Sequence, residues 1–152
     1  MLRSMLRGAM AGAAGTTALN AVTYLDMAFR GRPSSSTPED TVEKVADELD
    51  TRIPGSEKEQ DARKSGLGAL LGIAAGTGVG AAFGLLRGAG LRLPVWLTAP
   101  AAGAVAMAAG NGPMVALGVT DPRSWSSIDW LSDVVPHLAY GAVTALALEE
   151  AA

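Results

Sequence analysis

Four long apolar segments, separated by polar stretches, make up most of the chain. They cover residues 6–29, 66–86, 93–119 and 130–148, and charged or turn residues bound each of them. A transmembrane helix needs about 20 predominantly apolar residues, because the hydrocarbon core is about 30 Å thick and a helix rises about 1.5 Å per residue. The pattern predicts an all-α fold, a four-helix transmembrane bundle that forms one integral membrane domain over residues 1–152.

The first apolar segment has an alternative interpretation. Arg3 and Arg7 precede a run of small residues, an arrangement that also fits a signal peptide. Apolar character continues to Phe29, however, and further apolar segments follow. We therefore expect this helix to be retained in the protein.

The second segment contains glycines spaced four residues apart. In water each glycine inside a helix costs about 1 kcal/mol relative to alanine, whereas in lipid an unpaired amide costs several kcal/mol and keeps the backbone helical. Glycines at this spacing lie near one helix face and let a neighbouring helix approach closely. We interpret them as a packing face within the bundle, with a homo-oligomer through the glycine faces as the alternative. The helix-packing residues are Gly68, Gly72, Gly76, Gly80 and Gly84, and Gly88 continues the spacing.

The polar loop of residues 30–64 holds 16 of the 27 charged residues. Thr37, followed by Pro38, is typical of a helix start, and apolar residues from Val42 to Leu49 then fall on one face. This pattern predicts a short amphipathic helix in the first loop. Ser56 with Glu59 three residues later repeats the start signal, so the second long helix is expected to begin in water.

Composition excludes several classes of function. The net charge is −3, only 5% of residues are aromatic, and the sequence has no basic stripe, so we expect no nucleic acid partner. The absence of cysteine excludes disulfides, cysteine-ligated zinc and thiol catalysis. The expected partner is the lipid bilayer.

Basic residues give the expected orientation. With four spans, the first and third loops lie on the same side, and together they hold eight of the twelve basic residues. The positive-inside rule then favours these loops in the cytoplasm and both termini outside.

Polar residues form a stripe on the first and fourth segments, at spacings of three and four. Ionisable groups within a span are costly and face the bundle interior. The stripes predict either a structural hydrogen-bond cluster that joins the two helices or a proton or ligand site. We expect no catalytic residues, metal or cofactor, because a nucleophile motif, a phosphate loop and a second histidine are all absent from the sequence. The candidate polar cluster consists of Asn20, Asp26, Asp133, His137 and Tyr140.

The last third of the chain resembles a known family. The stretch PMVALGVTDP followed by WLSDVVPHLAYG is similar to small, uncharacterised bacterial inner-membrane proteins related to the YagU family. The resemblance implies a multi-pass protein of the bacterial inner membrane. It implies no particular reaction or ligand. The expected function is therefore a non-enzymatic scaffold or envelope component. A small proton-coupled transporter or permease that uses the intramembrane Asp and His residues is the alternative.

Overall fold

The structure, a computed structural model, describes residues 1–150 of the chain. It contains five α-helices and one short 3-10 turn, and no strand occurs in that range. The predicted all-α class is confirmed, and each apolar segment lies largely within one long helix. The helices are α1 (Leu2–Arg30), α2 (Thr37–Glu48), α3 (Glu57–Gly88), α4 (Val95–Ala116) and α5 (Ser127–Glu150), with the 3-10 turn at Pro122–Ser124.

The start of α3 follows the predicted capping motif. The backbone N–H of Ser56 and its hydroxyl both donate to Glu59 Oε2, each over 2.8 Å. These donors, the backbone N–H most of all, hold the pKa of the Glu59 carboxyl below its ordinary value. The motif sits in the charged first turns of α3, before the apolar part of that helix begins at Gly66.

The predicted helix in the first polar loop is α2. It begins at Thr37 with Pro38 in its first turn, where a missing amide donor costs nothing. Ser36, one residue earlier than the predicted start, takes the capping position, and its hydroxyl donates to Asp40 Oδ2 over 2.9 Å. Val42 is buried, so one side of α2 packs onto α3.

Glycines hold α1 and α3 in direct backbone contact. A Cβ atom added to Gly12 would lie 2.5 Å from the carbonyl oxygen of Gly76, and one added to Gly80 would lie 2.5 Å from Gly12 Cα. Gly8 and Gly84 approach each other in the same way, with a Cβ on either falling 2.7 Å from the other's Cα. Real Cβ contacts almost never fall below 3.0 Å, so no other residue fits at these positions without moving a helix.

The rest of the glycine stripe meets other partners. A repeat of four residues advances about 40° around a helix of 3.6 residues per turn, so the stripe winds around α3. A Cβ on Gly68 would lie 2.9 Å from Pro38 of α2, and one on Gly88 would lie 2.6 Å from Ser4 Oγ. Gly72, between the two contact regions, has nothing within 4 Å of an added Cβ. Within the chain, Gly72 therefore lies outside the predicted packing face.

The four long helices form one bundle. Helix α1 lies between α3 and α5, α4 packs on α5, and a smaller contact between α3 and α4 completes the arrangement. Small residues also bring α4 and α5 together, because a Cβ on Gly103 would lie 2.6 Å from the carbonyl oxygen of His137. Thr144 on α5 is fully buried, and its hydroxyl donates to the carbonyl of Ala11 on α1 over 3.4 Å.

Large side chains lie mostly on the outside of the bundle. The buried hydrophobic residues among those described are eight, of which four are alanines, whereas 26 large hydrophobic residues are exposed. They include Leu70 and Leu71 on α3 and Leu131 and Leu138 on α5. The usual arrangement of a water-soluble bundle, with large apolar residues inside, is therefore reversed.

Two helices, α3 and α5, are long and apolar enough to cross a membrane. The sequence predicts four such helices, and by this measure the other two fall short. Charged residues lie near both ends of α1, from Arg3 to Arg30, and α4 contains Asn111 as well as prolines at 100 and 113. The most apolar stretches within α1 and α4 therefore do not reach the mean hydropathy of those within α3 and α5.

Candidate functional site

Asp133 and His137 lie one turn apart on α5, as their spacing predicts. His137 Nδ1 lies 2.7 Å from the backbone carbonyl oxygen of Asp133 and 3.4 Å from its Oδ1. Both side chains are partly buried, with 15% of His137 and 24% of Asp133 exposed. A carbonyl oxygen can only accept, so Nδ1 carries the proton of the neutral ring and Nε2 holds its free lone pair.

Asn111 of α4 completes this site, and sequence reasoning missed it. Its Nδ2 donates to Asp133 Oδ2 over 2.6 Å and thereby joins α4 to α5. The sequence around it, from Gly110 to Pro113, predicts a break or kink. The break does not occur, because the helix continues to Ala116. Pro113 removes only its own amide donor, so the following turn remains helical. A strongly polar residue inside an apolar segment was the available signal, because such residues seek a hydrogen-bond partner on another helix.

Asp26 lies in a different environment, at the C-terminal end of α1. Its carboxylate pairs with Arg32 Nε at 2.6 Å and with Arg30 Nη1 at 3.1 Å. Arg30 Nη1 also donates to Ser132 Oγ over 2.7 Å, which connects α1 to the first turns of α5. The two helix ends meet as expected for antiparallel neighbours, but in the described chain Asp26 is hydrogen-bonded to arginines and not to Asp133 or His137.

Tyr140 lies in the core of the bundle. It is fully buried, and its hydroxyl donates to the carbonyl of Gly76 on α3 over 2.6 Å. Its ring packs with Val79 of α3 and with Ala102 and Ala106 of α4. Tyr140 on α5 therefore contacts α3 through a hydrogen bond and packing, and α4 through packing.

Asn20 is half-buried on α1, and its side chain makes no hydrogen bond to any residue from 1 to 150. The predicted cluster of five residues thus divides into parts. Among the five, the ion pairs and hydrogen bonds described for residues 1–150 join Asp133 to His137, and Asn111 is the additional partner of Asp133.

The Asp133, His137 and Asn111 site brings a carboxylate, an imidazole and an amide together between α4 and α5. Ser132, which precedes Asp133 on α5, accepts a hydrogen bond from Arg30 at the end of α1. Within residues 1–150 no three His, Cys, Asp or Glu side chains gather as metal ligands would.

The larger of the two described cavities lies elsewhere. It is an open groove between α2 and α3, and neither cavity is lined by Asp133 or His137. The polar site therefore lies outside both of these cavities.

Comparisons with known proteins give no further indication of function: no protein-family model, no curated protein and no solved structure matches the chain.

Proposed function

We propose that this protein is a multi-pass integral membrane protein in which α1, α3, α4 and α5 all cross the bilayer. Its role is non-enzymatic, that of a scaffold or envelope component. The observation that carries the proposal is the reversed distribution of side chains, with mainly glycine and alanine inside and most of the leucines outside. In water so much exposed apolar surface favours aggregation, whereas in lipid it faces a matching solvent.

Two features of α4, its length and the tryptophans near its ends, support the proposal that it crosses the membrane. Its 22 residues span about 33 Å, close to the thickness of the hydrocarbon core. Trp96 is exposed at its first turn, and Trp125 and Trp130 follow its other end, where their rings pack edge to face at 5.0 Å. Tryptophans at both ends are typical of helices whose ends lie at the two membrane interfaces.

Two features of the sequence favour a particular membrane and orientation. The resemblance to proteins related to the YagU family, which remains a prediction, favours the bacterial inner membrane. The distribution of basic residues favours a cytoplasmic position for the first and third loops.

Single-cysteine labelling tests the number of spans, because the native chain contains no cysteine. We expect Ser34→Cys and Asp121→Cys to react with a membrane-impermeant maleimide from one side of sealed vesicles, and Leu91→Cys from the other side. Val105→Cys, in the middle of α4, is expected to react only after detergent is added.

The labelling pattern separates four spans from two. If only α3 and α5 cross the membrane, Asp121→Cys reacts from the same side as Leu91→Cys, and Val105→Cys reacts without detergent. That result would contradict the four-span proposal, but the protein would still be a membrane protein with two spans. Reaction of all four cysteines from both sides would contradict membrane insertion altogether.

A proton-coupled transporter is the second candidate, and the contact between Asp133 and His137 favours it. The partly exposed imidazole, with Nε2 free to take a proton, is the kind of group that carries protons through a membrane. Our leading proposal gives the same residues a structural role, in which they join α4 to α5 through Asn111.

Flux measurements in proteoliposomes distinguish the two roles. With a pH-sensitive dye trapped inside, we expect no proton flux above that of empty liposomes for the wild type, His137→Ala or the control variant Glu149→Gln. A wild-type flux that persists in Glu149→Gln and is lost in His137→Ala would favour the transporter instead. The control lies on the same helix, and its side chain is exposed at the far end.

A further inference from the structure

An apolar groove with a volume of about 610 Å³ lies between α2 and α3. Helix α2 contacts α3 through Val42 and its first turn, near Gly68, but its second half does not close onto α3. Apolar side chains along the opening therefore remain exposed, with Leu49 at 70%. The apolar lining includes Val45, Leu49, Ile53, Leu67 and Leu70.

Two arginines belong to the otherwise apolar lining of the groove, although the loop that forms it is rich in acidic residues. Its lining includes Arg52 and Arg63 and no Asp or Glu side chain. Neither arginine forms an ion pair with any residue in the described range 1–150. The guanidinium of Arg63 donates to the carbonyl of Pro54, which holds it beside the groove.

The floor of the groove continues into the outer surface of α3. Leu67 and Leu70 belong to the apolar part of this helix, and the exposed residues Leu71 and Ile73 follow them along it. Arg63 lies one turn before Leu67, where the charged start of α3 changes to its apolar part. On a membrane-spanning α3 this is the level at which lipid headgroups meet acyl chains.

We propose that the groove binds an anionic phospholipid, with one acyl chain against the leucines and the phosphate between Arg52 and Arg63. This inference rests on the proposed membrane location of the protein. Apolar side chains match an acyl chain, and guanidinium groups bind phosphate through paired hydrogen bonds. A soluble partner would need no phosphate-binding groups next to a surface that is continuous with the lipid-facing side of α3.

Quenching by brominated lipids tests the occupant. Single cysteines that carry a small fluorophore report contact with acyl chains at three positions. Leu49→Cys probes the groove, and Leu71→Cys probes the lipid-facing side of α3. Asp47→Cys, exposed near the end of α2 and two residues before Leu49, is the matched control. In phosphatidylcholine vesicles that contain a minor share of phosphatidylglycerol brominated on its acyl chains, we expect quenching at Leu49→Cys and Leu71→Cys and none at Asp47→Cys.

Headgroup preference tests the role of the arginines. We expect stronger quenching at Leu49→Cys when the bromine is carried by phosphatidylglycerol than when the same share of phosphatidylcholine carries it. Each Arg→Gln substitution at 52 or 63 is expected to lower this preference about fivefold, the effect of one basic residue near an anionic surface. Arg3→Gln with Arg7→Gln, at the opposite end of the bundle, is the control and leaves the preference unchanged.

The outcomes separate this proposal from the proposed function. Quenching at Leu71→Cys without quenching at Leu49→Cys overturns the lipid groove and leaves the membrane location intact. Absence of quenching at both positions overturns the membrane location as well. A fluorophore at Leu49→Cys that is shielded from water but not quenched indicates a second copy or another protein in the groove, which also overturns the proposal. Equal quenching by the two lipids overturns the binding of phosphate by the arginines.

Discussion

Replacing Gly80 by leucine is expected to destabilise the bundle by about 3 kcal/mol, at the upper end of the cost of overpacking. The reason is that the atoms nearest to a Cβ at this position belong to the backbone of α1. Gly12 Cα lies 2.5 Å from it and Gly12 N lies 2.6 Å from it. A backbone cannot rotate away as a side chain can, so α1 and α3 must separate along their contact.

Gly72→Leu is the matched control for this substitution. It makes the same change on the same helix two turns away, where an added Cβ meets nothing within 4 Å. We expect its stability to equal that of the wild type or exceed it slightly, since glycine is the poorer helix former. Unfolding of the purified protein by SDS in mixed micelles, followed by far-UV circular dichroism, measures both variants.

Gly80→Ala keeps the test informative if the leucine variant does not fold. It adds only the Cβ atom, and we expect a loss of about 1 kcal/mol or more, whereas Gly72→Ala loses nothing. Equal stability of the alanine variants at positions 72 and 80 would contradict the direct backbone contact between α1 and α3.

The glycine stripe shows what the sequence can and cannot predict about packing. Its spacing identifies one helix with a face of small residues, and Gly76, Gly80 and Gly84 do lie against a neighbouring helix. The spacing does not identify the neighbour, because Gly8 and Gly12 on α1 become its partners only through the path of the whole chain. Nor does it predict that Gly72 stays open, since that depends on where α2 ends its contact with α3.

Polar residues were harder to place than glycines. A stripe predicts that Asp133 and His137 share a helix face, and this follows from helix geometry alone. The partner of Asp133 is Asn111 on α4, and the sequence contains no signal that pairs these two rather than Asp133 with Asn20. Asp26 finds its partners locally, as Arg30 follows it by four residues, and this spacing could have been recognised as an ion pair.

Replacing Tyr140 by alanine is expected to destabilise the bundle by about 3 to 5 kcal/mol, the range for truncating a large buried aromatic residue. The ring is fully buried between α1, α3 and α4, and it fills the space that Gly15, Val79 and Ala106 leave around it. Helices α1 and α3 cannot move closer to fill the cavity, because their backbones are already in contact at Gly12 and Gly80. The same SDS titration measures the loss.

Tyr140→Phe separates the packing of the ring from its hydrogen bond. The hydroxyl donates to the carbonyl of Gly76, which as a helical carbonyl also accepts a bond within α3, so its loss leaves no unpaired group. We expect a cost of about 0.6 kcal/mol, the average for a hydrogen bond between membrane helices. Tyr24→Ala changes the only other tyrosine, which is 62% exposed on α1, and is expected to be neutral. If Tyr140→Phe costs as much as Tyr140→Ala, the hydroxyl and not the ring holds the helices together, and the close fit of small residues around the ring is then not the main source of stability.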